Sequence, residues 1–108
     1  MVGPDPAVDA WLRSTRGVDG RLLLTFGGAL DLASVAEIAA ELDALEPCAE
    51  IVMDLAAVEF IDSSGIALLI RMANRAEHVH SVGARPLVRR TIEVLGLAEH
   101  LGLLTEGE

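Results

Sequence analysis

The chain contains no lysine and no tyrosine, and Cys48 is its only cysteine among 108 residues. A single cysteine excludes an internal disulfide, and such a residue is more often a small buried apolar side chain than a reactive thiol. Eight arginines face 17 carboxylates, which gives a formal net charge of −9. Because nucleic-acid binding needs a basic surface, this charge argues against a nucleic-acid partner. The negative charge is consistent either with attraction to a basic partner protein or with a role in solubility alone.

Long apolar runs are also missing, although 52% of the residues are hydrophobic. No run approaches the roughly 18 residues that a membrane helix needs, so no membrane association is expected. Residues 1–9 hold two prolines and two aspartates where a signal peptide would have a basic and then an apolar region. We therefore expect a cytoplasmic protein with a flexible tail at residues 1–9 and one domain at residues 10–108.

The apolar patterns predict an α/β fold in which strands alternate with helices. Strands are expected at residues 10–15, 21–26, 51–55 and 78–84, and Gly27 and Gly28 are expected to end the second strand. This order favours a small sheet of four to five strands, mostly parallel, flanked by three to four helices.

Three helices follow from the periodicity of the apolar residues. The first is expected around residues 35–45, with Asp31 or Ser34 as its cap and Pro47 as its stop. The second begins near Ser64, which would act as a cap, and runs to about Ala76. The third opens at Pro86 and ends at Gly96, and its core side is predicted to comprise three residues: Val88, Ile92 and Leu95.

The most informative segment is Ile-Asp-Ser-Ser-Gly-Ile at residues 61–66. It lies between a predicted strand and a predicted helix, where backbone N–H groups point outward and favour a negative group. A serine at this junction can cap the helix, act as a nucleophile or accept a phosphate. Asp31 and Asp62 are expected at the same sheet edge, because loops that follow parallel strands cluster there.

Catalytic and cofactor sites find little support. A nucleophile elbow at Ser63 needs glycine on both sides of the serine, but Ile61 stands at the upstream position. His78 and His80 would share one strand face, yet no familiar metal-ligand spacing accompanies them. The pair Gly27 and Gly28 lacks the third glycine of a dinucleotide fingerprint. We therefore expect no metal, no cofactor and no enzymatic activity, with a small serine hydrolase as the remote alternative.

The Asp-Ser-Ser-Gly sequence at residues 62–65, followed by an apolar helix, resembles the signature loop of STAS domains, the sulfate-transporter and anti-sigma-factor-antagonist family. Gly-Ala-Leu-Asp at residues 28–31 resembles the turn before that family's first helix, and residues 51–55 resemble its central strand. Residues 82–84, 88–90 and 95–97 resemble its closing strand and helix. The match runs from about residue 10 to residue 104, and the order of the pieces makes it specific.

The resemblance implies an anti-sigma factor antagonist that works by partner switching. The unphosphorylated protein would bind an anti-sigma factor that is also a serine kinase, and phosphorylation of Ser63 would separate them until a serine phosphatase resets the cycle. The residues expected to shape the partner-binding surface are Asp31, Asp62, Ser64, Gly65, Leu68 and Met72. Leu68 and, less directly, Met72 would supply apolar contact. The alternative is a STAS scaffold outside sigma control, such as a stressosome or lipid-transporter accessory subunit.

The chain also departs from the family pattern. Compared with that pattern, the chain lacks about one helical turn and a Gly-Gly pair before the fourth strand. The C-terminal helix of many relatives is absent or very short, and Ala29 replaces a residue that is often acidic. These departures concern the fourth strand, the length of the second helix and the choice of partner. They leave the loop that contains Ser63 intact. The sequence leaves the oligomeric state open.

Overall fold

A computed structural model describes residues 10–103 of the chain. The tail predicted at residues 1–9 and the last residues, 104–108, lie outside this range. The elements in chain order are β1 (Trp11–Arg16), β2 (Leu22–Leu30), α1 (Leu32–Asp43), β3 (Cys48–Ile61), α2 (Ser63–Ala73), β4 (Ala76–Val82) and α3 (Pro86–Val94). Among these residues, no helix is long and apolar enough to cross a membrane.

The strands form one sheet in the order β1-β2-β3-β4. β1 pairs antiparallel with β2, whereas β2–β3 and β3–β4 are parallel. The predicted fold class is therefore confirmed: a mostly parallel α/β sheet, with four strands and three helices among the described residues. The turn between β1 and β2, at residues 17–21, lies at the opposite end of β2 from the loop that leads into α1.

The helices cover one face of the sheet. Both parallel crossovers move in the same direction across the sheet, and right-handed connections of this kind place α1 and α2 on the same side. Strand alternation agrees with this layering, because Leu22, Leu24 and Phe26 are buried whereas Leu23 between them is exposed. The buried residues of α3, Val88 and Ile92, join the same hydrophobic cluster. The opposite face of the sheet carries no helix of the described residues.

Two strands are longer than predicted. β2 continues past Gly27 and Gly28 to Leu30, because the glycines lie at irregularities of the β2–β3 register rather than at a turn. Gly28 has a φ of +76°, a conformation that glycine adopts without strain. β3 extends from Cys48 to Ile61 and therefore delivers the predicted loop directly to the edge of the sheet.

The helix boundaries also correct the predictions. α1 begins after Asp31 and ends at Asp43, before Pro47. α2 ends at Ala73, because Asn74 and Arg75 form a turn into β4. The prediction that Leu95 faces the core is wrong: Leu95 is 54% exposed because it follows the last turn of α3. Gly96, with φ +73°, ends that helix as predicted.

The fourth strand forms despite the missing helical turn, but it begins at Ala76 and ends at Val82. No long helix follows α3 among the described residues. Instead, residues 98–102 form turns, and Leu103 makes an isolated parallel bridge to Ser81. The buried Ser81 hydroxyl donates to the Leu101 carbonyl at 2.7 Å, which holds this segment against β4.

Candidate functional site

The loop between β3 and α2 is organised by the Asp62 carboxylate. Asp62 has extended backbone angles, and its Oδ1 accepts hydrogen bonds from the backbone N–H groups of Ser64 at 2.8 Å and Gly65 at 3.2 Å. Asp62 is therefore the N-cap of α2, and the prediction that Ser64 caps this helix is wrong. Ser64 instead lies in the first turn, half-buried.

Asp62 also connects this loop to the loop that precedes α1. Its Oδ2 accepts a hydrogen bond from the Leu32 N–H at 3.2 Å, and its own N–H donates to the Leu30 carbonyl at 3.2 Å. Asp31 caps α1 by accepting from the Ser34 N–H at 2.9 Å. Asp31 and Asp62 thus lie at the same sheet edge, as predicted. The carboxylate of Asp62 holds three backbone donors from two helices, so the junction is firmly positioned.

Ser63 is the first residue of α2, and its side chain is exposed. The preceding cap and the following turn fix its backbone, and the residue is exposed to solvent. At the N-terminus of a helix, the partial positive charge of the backbone N–H groups favours a negative group. The position therefore suits either an uncharged hydroxyl that another protein contacts or a phosphorylated one.

Gly65 lets α2 start very close to the end of β2. A Cβ added to Gly65 would lie 2.7 Å from Cγ1 of Ile61 and closer still to the Leu30 carbonyl oxygen. No larger residue fits without movement of the backbone. This close approach explains why the loop containing Ser63 sits tightly against the sheet.

The expectation that Leu68 and Met72 offer exposed apolar contact is wrong. Each side chain is only 2% exposed, and both belong to the hydrophobic core. α2 packs against the sheet and also beside α1, so its apolar surface is buried over a wider arc than one side of the helix. Periodicity within α2 alone does not reveal the neighbouring helix α1.

Two exposed apolar side chains near Ser63 escaped the sequence analysis. Leu32, the first residue of α1, is 76% exposed, and Phe60, near the end of β3, is 47% exposed. The backbone N–H of Leu32 donates a hydrogen bond to the Asp62 carboxylate, and in the sequence only the buried Ile61 stands between Phe60 and Asp62. The alternation of buried and exposed residues before the Asp-Ser-Ser-Gly sequence is the signal that would have identified Phe60.

The acidic charge is concentrated in the half of the chain that builds this site. Residues 22–70 contain nine carboxylates and no arginine, lysine or histidine, so this segment alone carries a charge equal to the total of −9. The segment comprises β2, α1, β3 and most of α2. Its acidic residues are Asp31, Glu37, Glu41, Asp43, Glu46, Glu50, Asp54, Glu59 and Asp62.

Among residues 10–103 there is no group of three or more side chains suited to holding a metal ion. His80 lies with its Nε2 3.5 Å from the carboxylate of Glu50, which is a local ion pair when the histidine is protonated. A surface cavity of about 470 Å³ lies beside the β1–β2 turn, far from Ser63. One of its arginines, Arg21, already pairs with Asp19 and Glu50.

Solved structures with the same architecture include several anti-sigma factor antagonists. An anti-sigma factor antagonist from Mycobacterium paratuberculosis matches with a TM-score of 0.80 and 22% identity, covering 95% of this chain and 91% of that one. SpoIIAA, an anti-sigma factor antagonist, matches in its unphosphorylated form with a TM-score of 0.70 and 21% identity over 89% of this chain and 90% of that one. The Bacillus cell fate determinant SpoIIAA in its phosphorylated form gives a TM-score of 0.63 and 20% identity over 89% and 93%. At these identities the likeness shows the shared fold.

Comparison with curated protein sequences finds no significant match. The family profile described as "Mlab, STAS domain" matches residues 13–105, which is most of the chain and includes every strand and helix except the start of β1. The match contains the Asp-Ser-Ser-Gly loop and both helix caps described above. The chain therefore belongs to the STAS domain family.

Proposed function

We propose that this STAS domain is an anti-sigma factor antagonist that works by partner switching. In its unphosphorylated form it binds an anti-sigma factor that is also a serine kinase, and phosphorylation of Ser63 releases that partner. The observation that carries the proposal is the exposed Ser63 hydroxyl on a loop fixed by Asp62 and Gly65. The likeness to SpoIIAA, which is known in phosphorylated and unphosphorylated forms, supports it.

A phosphate at Ser63 suits a switch that leaves the fold intact. Phosphorylation adds about −1.5 to −2 charges at neutral pH. The N-terminus of α2 stabilises such a charge locally, whereas the neighbouring carboxylates of Asp31 and Asp62 oppose it. The domain therefore remains folded, and the change is confined to the surface that a partner contacts.

The other residues at this edge have supporting roles in the proposal. Asp31 and Asp62 hold the two helix starts in register, Gly65 allows the close packing, and Ser64 fills the first turn of α2. The chain itself needs no catalytic activity and no cofactor in this scheme. The kinase adds the phosphate, a serine phosphatase removes it, and all three proteins act in the cytoplasm.

The first experiment identifies the phosphorylated residue. The purified protein is incubated with ATP and each candidate anti-sigma factor kinase from its source genome, and the peptide containing residues 61–66 is analysed by mass spectrometry. Wild type and the matched control Ser64→Ala are expected to gain one phosphate, whereas Ser63→Ala gains none. Phosphate on Ser63→Ala at the wild-type rate would refute the assignment.

The second experiment measures release. We expect Ser63→Asp to weaken binding to the kinase at least tenfold in isothermal titration calorimetry, because it places a charge where the partner meets a neutral hydroxyl. Ser14→Asp, on the exposed strand β1, adds the same charge away from the site and is the control. Equal affinities for the two variants would argue against the switch.

A STAS scaffold outside sigma control is the second candidate, and the family description that names Mlab favours it. This candidate includes a stressosome subunit or an accessory subunit of a lipid transporter. It predicts a stable complex with a transporter ATPase that neither ATP nor Ser63→Asp disrupts. Purification of tagged protein from native cells, with mass spectrometry of its partner, separates the two functions.

A further inference from the structure

The surface around Ser63 combines apolar contact with one sign of charge. Leu32 and Phe60 are here called the apolar rim: Leu32 donates its backbone N–H to Asp62, Phe60 lies near the end of β3, and both are well exposed. The outer face of α1 adds the exposed carboxylates of Glu37 and Glu41. No basic residue occurs between residues 22 and 70, and the ion pair that α1 makes with Arg71 is at Asp43, the last residue of the helix.

We propose that the partner docks over the apolar rim and places basic side chains against α1, so that Ser63 is enclosed within apolar contact. This inference rests on the proposed function, and the occupant is the anti-sigma factor kinase. Charge complementarity identifies the chemistry of its surface: arginines or lysines around an apolar pocket that receives Leu32 and Phe60. The rim takes the place of the buried Leu68 and Met72 as the source of apolar contact.

The arrangement also specifies how phosphorylation releases the partner. A basic partner is attracted by negative charge, so simple repulsion between like charges does not explain release. A partner docked over the apolar rim would exclude water from a phosphate on Ser63, and its apolar pocket would supply no hydrogen-bond donors in return, so burial of the anion is strongly unfavourable. Release therefore follows from desolvation of the phosphate, while the carboxylates of α1 continue to attract the partner.

The rim is tested by binding of the purified kinase that phosphorylates Ser63 in the experiment above. Leu32→Ser and Phe60→Thr are each expected to weaken binding at least tenfold through faster dissociation. Leu87→Ser is the matched control, because Leu87 is 62% exposed on α3, outside the acidic segment. Thermal denaturation verifies that the variants are folded.

The possible results separate the two proposals. If wild type binds the kinase and both rim variants bind as tightly as Leu87→Ser, docking over the apolar rim is refuted and the proposed function stands. If wild type binds no candidate kinase and none phosphorylates Ser63, the proposed function fails and the rim falls with it.

The charge component has its own test with the same kinase. The double variant Glu37→Gln/Glu41→Gln is expected to slow association about fivefold or more at low ionic strength, and the difference should shrink at 0.5 M NaCl because salt screens the attraction. Glu77→Gln/Glu99→Gln removes the same charge from exposed positions outside the acidic segment and is the control. Equal association rates for the two double variants would overturn a basic docking surface.

Discussion

At the scale of single residues, Asp62 and Gly65 contribute more to the position of the loop than the two serines between them. Asp62 accepts three backbone hydrogen bonds, from Leu32, Ser64 and Gly65, and so joins the starts of α1 and α2. Gly65 permits contact between α2 and the backbone of β2. Ser63 is therefore displayed in a defined position on a junction that these contacts hold in place.

Replacing Gly65 by alanine tests this packing. The added Cβ would overlap the Leu30 carbonyl oxygen, and overpacking of this kind lowers the free energy of unfolding by about 1–3 kcal/mol. Ser64→Ala adds no atoms to the same turn and should change stability by less than about 1 kcal/mol. Urea unfolding followed by circular dichroism measures both variants. A Gly65→Ala protein as stable as Ser64→Ala would contradict the close approach.

The residue scale also shows where sequence reasoning succeeds. The spacing of Asp31 and the Asp-Ser-Ser-Gly sequence was sufficient to predict their shared edge, because loops after adjacent parallel strands must converge. The identity of the cap was not predictable with the same reliability, since Asp62 and Ser64 are both good N-cap residues two positions apart. Leu68 was misjudged because its burial in the hydrophobic core depends on packing between elements that are distant in sequence.

At the scale of elements, a tethered segment at residues 98–103 lies against β4, and no long helix follows α3 within residues 10–103. Ser81 on β4 is fully buried, and its hydroxyl donates to the Leu101 carbonyl. The backbone N–H of Ser81 donates to the Gly102 carbonyl at 2.9 Å, and Leu103 bridges to Ser81. These contacts cover part of the outer edge of β4.

Removal of the Ser81 hydroxyl should loosen this tether. Ser81→Ala deprives the Leu101 carbonyl of a hydrogen bond in a buried location, which lowers the free energy of unfolding by about 1–2 kcal/mol. Ser14→Ala, on the exposed strand β1, is the control and should have almost no effect. Chemical denaturation compares the two, and hydrogen exchange at residues 97–103 should quicken in Ser81→Ala alone. Equal stabilities would show that the hydroxyl contributes nothing.

Elements with strong apolar periodicity were predictable, whereas their ends depended on distant contacts. The positions of α1, β3 and α3 followed from local patterns. The extension of β2 through Gly27 and Gly28 did not follow from local patterns, because it depends on the Trp11 ring of β1, which packs over Gly27. Likewise, the sequence of α2 does not show where the helix ends. A turn at Asn74 and Arg75 takes the place of the missing helical turn, and it becomes evident only from the pairing of β4, which begins at Ala76.

At the scale of the whole molecule, the charge is strongly segregated along the sequence, with contact between the two parts where Arg21 pairs with Glu50 and Arg71 pairs with Asp43. The acidic half contains no cation, and the arginines are confined to β1, the following turn, the end of α2, the turn after it and the segment that includes α3. Segregation of this kind orients a charged partner before contact and raises the association rate. It also places like charges close together, as in Glu37 and Glu41, which are one helical turn apart on α1.

This repulsion predicts that Glu41→Lys stabilises the domain. The change replaces a like-charge pair with an attractive Glu37–lysine pair and places a cation near the C-terminus of α1, whose last turn has no basic residue. We expect a gain of about 0.5–1 kcal/mol in urea unfolding at low salt. The gain should decrease at 0.5 M NaCl, where screening is strong. An unchanged or lowered stability would show that the repulsion is negligible.

The same substitution should slow association with the partner, so stability and docking are opposed at this position. Glu41→Gln separates the contributions, because it removes the repulsion without adding attraction. Its stability should fall between those of wild type and Glu41→Lys. Neither effect was predictable from composition, since the net charge of −9 does not reveal that residues 22–70 carry all of it.

The turn between β1 and β2 offers a practical point of attachment. It lies at the far end of β2 from the loop before α1, and the nine residues of this strand span about 30 Å. Val18 at its tip is fully exposed and is not part of the hydrophobic core. A short affinity peptide inserted at Val18 would immobilise the protein on a sensor chip with Ser63 directed away from the support, ready for kinetic measurements.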